Sequence, residues 1–137
     1  MPVVGSARFQ GAGAASIVGG SPEIILANAT SVYEVEANVN FATGTFTGQA
    51  TNFQSTQPGI TFSGSIPVTG SISGSGFNGS FNGSLGQQGT TVNYSGSVNG
   101  NFVGDNANGM VGTGIGVQSA PGFISQPVFN YWGAERQ

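Results

Sequence analysis

Residues 60–102 read ITFSGSIPVTGSISGSGFNGSFNGSLGQQGTTVNYSGSVNGNF, and nearly every second position is a large apolar side chain or a glycine. Ile60, Phe62, Gly64, Ile66, Val68, Gly70, Ile72 and Gly74 share one parity, against Thr61, Ser63, Ser65, Thr69, Ser71 and Ser73 on the other. The phase slips near Ser75-Gly76. It resumes with Phe77, Gly79, Phe81, Gly83 and Leu85, and again with Val92, Tyr94, Gly96, Val98, Gly100 and Phe102. A period of two predicts strands with one face dry and one wet. The glycines fall on the dry face, between bulky neighbours. Alternating large and small side chains fill the inside of a small, tightly curved barrel.

The pattern extends outward from this stretch. Tyr33, Val35, Ala37, Val39 and Phe41 alternate with Glu34, Glu36, Asn38 and Asn40. After Thr43-Gly44 the parity shifts to Phe46, Gly48 and Ala50, which reads as a tight hairpin, with a bulge as the alternative. Gln57-Pro58-Gly59 predicts a turn, Gly86 to Gly89 a loop, and Glu23 to Asn28 a buried strand or a short helical turn. Of the four Asn-Gly pairs, those at 78 and 82 lie in phase with Phe77, Phe81 and Leu85 and read as in-strand. Those at 99 and 108 read as turns. The last strands are expected at about 110–118 and 123–132, separated by Ser119-Ala120-Pro121-Gly122. No fixed period of the kind a solenoid needs is present. The expected fold is all-β: a small antiparallel up-and-down barrel of about eight strands, in which closure removes exposed edges. Residues 1–30 are expected to form an extended Ala/Gly-rich N-terminal arm with lead-in strands, and residues 31–137 the barrel domain.

Composition restricts function. Gly, Ser, Thr, Asn and Gln make up more than half of the 137 residues, yet ten phenylalanines fall mostly in phase with the alternation and the net charge is only −3. Disordered chains show the reverse, many charges and few aromatics. Seven residues are charged (Arg8, Glu23, Glu34, Glu36, Asp105, Glu135 and Arg136), and lysine is absent. Two arginines cannot build a phosphate-tracking groove, which excludes nucleic acid as a partner. So low a charge suits life outside the cell, because near-zero charge invites association. Cysteine is absent, which fits a cytosolic protein and equally a bacterial or archaeal surface protein with a continuous sheet. Met1-Pro2-Val3-Val4 has no basic n-region, so an exported chain is expected to begin after its signal or to be a module of a longer one. No apolar run approaches the roughly 20 residues of a membrane helix.

Catalytic chemistry is poorly supplied. With no histidine, cysteine or lysine, the usual bases and activated nucleophiles are missing, and no enzyme activity, cofactor or metal is expected. Glu34 and Glu36 share a strand face in the manner of paired carboxylates, but read as solvent-facing residues. Asp105-Asn106-Ala107-Asn108-Gly109 offers oxygen ligands of the type calcium takes, without the spacing of an EF-hand, and reads as a polar turn. Tyr33, Tyr94, Tyr131 and Met110 are the only candidate haem ligands; Tyr33 and Tyr94 are in phase with the core and are expected to pack there. Phe123, Phe129, Tyr131 and Trp132 are expected to close the core through the last strand, with a binding platform as the alternative.

Three segments resemble a known family. Val39-Asn40-Phe41-Ala42-Thr43-Gly44-Thr45-Phe46-Thr47-Gly48 is similar to the "V-D-F-x-x-x-x-v-x-G" opening of the eight-stranded barrel in the transferrin-binding protein B family of bacterial surface lipoproteins. Tyr94 to Gly104, followed by Ala107 and Gly112, resembles that barrel's "G-x-F-x-G-P-x-A-x-E-x-G-G" element, with Asp105 and Gly109 departing from it. Tyr131-Trp132-Gly133-Ala134-Glu135-Arg136 resembles the terminal "F-G-A-x-R". The resemblance implies a non-enzymatic β-barrel module, extracellular or on a bacterial cell surface, that recognises a protein partner or host factor through loops and polar strand faces. It carries over no specific site. The alternative, from the low charge and the N-terminal arm, is a structural subunit of an extracellular fibre or matrix that self-associates into a homopolymer when residues 3–18 add as a strand to a neighbour.

Overall fold

The computed structural model of the chain describes residues 5–17, 30–55, 62–87, 90–104, 106–120 and 125–137. Among them nine strands occur: β1 (Ser6–Ile17), β2 (Thr30–Asn40), β3 (Thr45–Ser55), β4 (Phe62–Ser63), β5 (Ile66–Ser73), β6 (Gly76–Gln87), β7 (Thr90–Val103), β8 (Gly109–Ser119) and β9 (Gln126–Arg136). All pairings are antiparallel. The order β5-β3-β2-β1-β9-β8-β7, together with the β6 pairings to both β5 and β7, closes an eight-stave barrel. The two-residue β4 is not a separate stave. Phe62 pairs with Gln87 of β6, the same neighbour that β5 uses lower down. The strand expected from Ile60 is thus broken at Gly64, whose φ of 108° only glycine adopts readily.

The hairpins follow local chemistry. The Asn40 side-chain Oδ1 accepts from the Ala42 and Thr43 amides at 3.0 and 3.1 Å, and the Gly44 amide donates to the Asn40 carbonyl at 2.9 Å. The parity shift at Thr43-Gly44 is therefore a hairpin turn, as the sequence predicts. The slip near Ser75-Gly76 is a two-residue loop, Gly74-Ser75, closed by the Ser73–Gly76 pair. Positive φ at Gly74 alone is the pattern of a type II′ turn. Between β7 and β8, Arg136 ties the turn down: its Nη1 donates to the Asn106 carbonyl at 2.8 Å, and the next residue, Ala107, is buried.

Two expectations need correction. Asn99-Gly100 is not a turn; it lies inside β7, with Asn99 paired to Asn78 and Thr113 and Gly100 facing the lumen. The alternation from Val92 to Phe102 never breaks there, and uninterrupted parity outweighs a local turn signal. Nor is the N-terminal segment a free arm. Its Ser6–Ile17 stretch pairs with β2 along one edge and β9 along the other. With both rows of backbone groups already bonded, it has nothing to donate to a neighbouring subunit, and the homopolymer loses its mechanism. The Glu23–Asn28, Gln57–Gly59, Asp105 and Phe123 readings, and the loop glycine at 89, lie outside the described residues.

Rings over glycines fill the lumen. Phe77 sits at the hub, with centroid distances of 5.4 Å to Phe46 and 5.5 Å to both Phe102 and Trp132. Phe102 in turn meets Phe41 at 5.4 Å and Phe9 at 5.9 Å. Each ring needs a position without a side chain on a nearby stave. A methyl group at Gly96 or Gly116 would lie 2.7 Å from the Phe81 ring, and one at Gly112 would lie 2.7 Å from Trp132. Burial of the aromatic side chains supplies most of the driving force, roughly 1.5–3 kcal/mol for each ring taken fully out of water.

Candidate interaction surface

On β5, β6 and β7 the glycines and the large apolar residues share the inward parity. On β8 the arrangement inverts. Met110, Gly112, Gly114, Gly116 and Gln118 face the lumen, which leaves Val111, Ile115 and Val117 on the outer wall. The rings of Trp132 and Phe81 occupy the space over the β8 glycines, so the bulk of β8 must point the other way. On β9, Val128, Trp132 and Ala134 point inward, while Phe129 and Tyr131 point out. Trp132 does close the core as expected; Phe129 and Tyr131 do not.

The register brings these outward residues together. Ile115 is opposite Phe129, and Val117 is opposite Pro127. Tyr131 is opposite Ala14, which is opposite Val32 on β2. The result is an uncharged apolar strip across four staves, with Ile115 61 % and Tyr131 67 % exposed at its centre. Glu34 and Glu135 stand at its margins, and the Ser95, Ser97 and Asn99 side chains of β7 border it. Scattered surface apolar residues are ordinary, but a contiguous patch with a polar rim marks an interaction site. Sequence reading misses the strip because Phe129 and Tyr131 look like core residues. The parity of Gly112, Gly114 and Gly116 is the signal that assigns the other face to Val111, Ile115 and Val117.

The remaining candidates resolve individually. Arg8 and Glu36 form an exposed ion pair at 3.0 Å, and Glu34 accepts from the Asn52 side chain. The two glutamates therefore have separate partners and do not form a working acid–base pair. Among the described residues no three His, Cys, Asp or Glu side chains cluster as a metal site would require. Met110 is fully buried. Tyr33 and Tyr94 are core residues, and the Tyr94 hydroxyl donates to the Gln118 Oε1 at 2.8 Å.

Burial pushes both the Tyr33 and Tyr94 phenols well above the ordinary tyrosine value; for Tyr33 the neighbouring Tyr131 adds to the effect. This sets an alkaline limit. Below pH ~10 both states keep their protons and these groups contribute no pH dependence. Above it the unfolded chain releases protons that the folded chain retains, so stability falls by about 1.4 kcal/mol per pH unit for each tyrosine. Urea midpoints measured from pH 8 to 12 should be flat at first and then drop. A flat profile up to pH 12 would show that the phenols are not held in the lumen.

Among the described residues no helix is long and apolar enough to cross a membrane. No curated protein sequence matches the chain. The fold recurs in solved structures of transferrin-binding protein B. The isotype 1 protein from serogroup B Neisseria meningitidis aligns with a TM-score of 0.64 at 21 % identity, covering 98 % of this chain and 25 % of that one. A single-substitution mutant of the Haemophilus parasuis Hp5 vaccine antigen aligns at 0.62 and 20 % identity, over 100 % of this chain and 27 % of that one. The double mutant of that antigen aligns at 0.64 and 19 %, over 100 % and 26 %. The chain thus spans about a quarter of the length of these structures. A family model also matches residues 1–129, and with it the closed eight-stave meander takes its place: the chain belongs to the family described as the C-lobe and N-lobe β-barrels of transferrin-binding protein B.

Proposed function

We propose that the chain is a non-enzymatic barrel module that recognises a protein partner, extracellularly or on a bacterial cell surface. The observation that carries the proposal is the apolar strip centred on Ile115, Phe129 and Tyr131. Its composition, aromatic and aliphatic without charge, is that of an interface core, and its border of hydroxyls and amides is that of a rim. Family membership adds support, since the matched structures are by name transferrin-binding proteins. Localisation rests on the family alone. Recognition would draw little on long-range steering, because only seven charges exist and the nearest to the strip are carboxylates.

The test uses the intact chain immobilised against transferrin, the partner named for the relatives, and then against fractionated plasma proteins. The double variant Ile115→Asn/Tyr131→Ala is expected to weaken the binding found with the native chain by a factor of ten or more, at an unchanged melting temperature. Each central hot-spot residue contributes about 1–2 kcal/mol or more, and 1.4 kcal/mol is tenfold. Equal binding by both chains would move recognition away from the strip. No saturable binding to any protein would sink the proposal.

A further inference from the structure

The lumen is not filled evenly. Toward the end that carries the turns at 41–44, 74–75 and 106–107, Phe9, Phe41, Phe46, Phe77, Phe102 and Met110 pack against one another. Toward the other end three consecutive staves turn small residues inward. β2 offers Val35 and Ala37, β3 offers Gly48 and Ala50, and β5 offers Val68. Phe53, Phe62, Phe81 and Leu85 also line this space, and among the described residues a cavity of ≈ 80 Å³ remains, lined almost entirely by carbon. A cavity needs only about 10–15 Å³ by this measure to admit one water, so this one is large enough for several non-hydrogen atoms.

Asn130 and Tyr33 are two of the polar residues in this lining. Asn130 turns inward from β9, close enough that a methyl at Gly114 would lie 2.6 Å from its carboxamide. Tyr33, 7 % exposed, also lines the cavity. Asn130 and Tyr33 thus bring polar atoms to a largely carbon-lined space. A polar group beside apolar surface is most stable with a hydrogen-bonding partner, which a bound molecule can supply. Eight-stranded barrels have interiors of the size that either packs solid or holds one small ligand.

We propose that the upper half of the lumen is a binding site for a small, uncharged, largely apolar molecule carrying one hydroxyl or carbonyl group, with Asn130 and Tyr33 as its polar anchors. The apolar body lies against Ala50, Val68 and Val128, and the polar group hydrogen-bonds to the two side chains. A charged ligand is disfavoured, because among the described residues the one charged side chain lining the cavity is Glu36, which is engaged with Arg8 outside. The site is independent of the outer strip and does not rest on the protein-recognition reading.

The chain's single tryptophan, Trp132, lines the cavity and reports on it. Titration of the full chain with hexan-1-ol is expected to shift Trp132 emission saturably and to perturb the Val68 and Ala50 methyl resonances in step. Hexan-1-amine, cationic at neutral pH, should produce neither change. Asn130→Leu should weaken hexan-1-ol binding about fivefold while leaving n-hexane unaffected, as expected for the loss of one hydrogen bond. Ala50→Leu, which fills the space, should abolish the shift; Val68→Leu serves the same purpose if that variant fails to fold. The proposal is overturned if no saturable shift appears, which would mean that ordered water or the chain's own loops occupy the space. It is equally overturned if the perturbed methyls are those of Ile115 and Val117, which would indicate adventitious binding to the outer strip.

Discussion

Gly100→Ala is expected to destabilise the barrel by at least about 3 kcal/mol, a large share of the roughly 5–15 kcal/mol that ordinarily holds a domain folded. The added methyl would run into the Val111 carbonyl oxygen and lie 2.7 Å from both the Gly112 Cα and the Phe77 ring. Two of those obstacles are backbone, held in the β7–β8 ladder by the Gly100–Gly112 register. A side chain can rotate away from a clash, whereas a ladder must break. Overpacking costs about 1–3 kcal/mol where side chains can adjust, and the backbone clash places this site at or beyond the top of that range. Gly133→Ala supplies the control. A methyl there meets nothing closer than 3.7 Å, so the change should be neutral or stabilising by up to about 1 kcal/mol through reduced freedom of the unfolded chain. Gly74→Ala falls between them: its hairpin position is open, but φ of 62° costs an alanine about 1 kcal/mol. Urea denaturation followed by circular dichroism ranks the three. If Gly100→Ala unfolds at the same urea concentration as Gly133→Ala, the close approach of β7 to β8 is wrong.

That contrast explains what can be read from such a chain. Inward glycines among inward rings are legible because the lumen leaves no alternative: a position that shares parity with Phe77, Phe81 and Leu85 faces inside whatever its neighbours say. The same rule holds the 78 and 82 Asn-Gly pairs in strand. Applied to position 99 it also overrules the turn signal, since Val98 and Gly100 sit on opposite sides of Asn99 without any break in phase. Local chemistry is a weaker guide than periodicity wherever the two compete. The kink at Gly64 is illegible for the opposite reason, because a glycine in phase looks the same whether it faces the lumen or bends the strand.

The candidate surface was harder to read than the fold. Polarity assigns a face only while apolar residues are confined to one parity, and β8 and β9 carry them on both. Ring size in the lumen decides which set goes inside: Trp132 takes the space on β9, and the facing β8 positions must then be glycine. That dependence runs between strands about twenty residues apart, so neither strand shows it alone. The N-terminal stretch has a similar history. Ala and Gly make 6–17 look like a loose arm, yet small residues are what a stave needs beside Tyr33 and Trp132, since a methyl at Gly13 would lie 2.6 Å from the Tyr33 ring and 2.7 Å from Trp132.

Phenylalanine on the two sides of the wall provides the sharpest test of this assignment. Phe77→Ala is expected to cost about 3–5 kcal/mol, the usual range for removing a buried ring. Phe77 is 3 % exposed and is the ring through which Phe46, Phe102 and Trp132 contact one another, so its loss opens a cavity between three rigid neighbours that cannot collapse into it without breaking strand register. Phe129→Ala removes the same atoms from the outer strip, where the ring is 45 % exposed and opposite Ile115. Its cost should stay below about 1 kcal/mol, a cross-strand pair at most. Thermal unfolding gives both values, and Trp132 emission separates the mechanisms: it should shift to the red in folded Phe77→Ala, where water or loosened packing reaches the indole, and remain unchanged in Phe129→Ala. Comparable losses in the two variants would mean that Phe129 packs inside, and the apolar strip on which protein recognition is argued would not exist as a free surface.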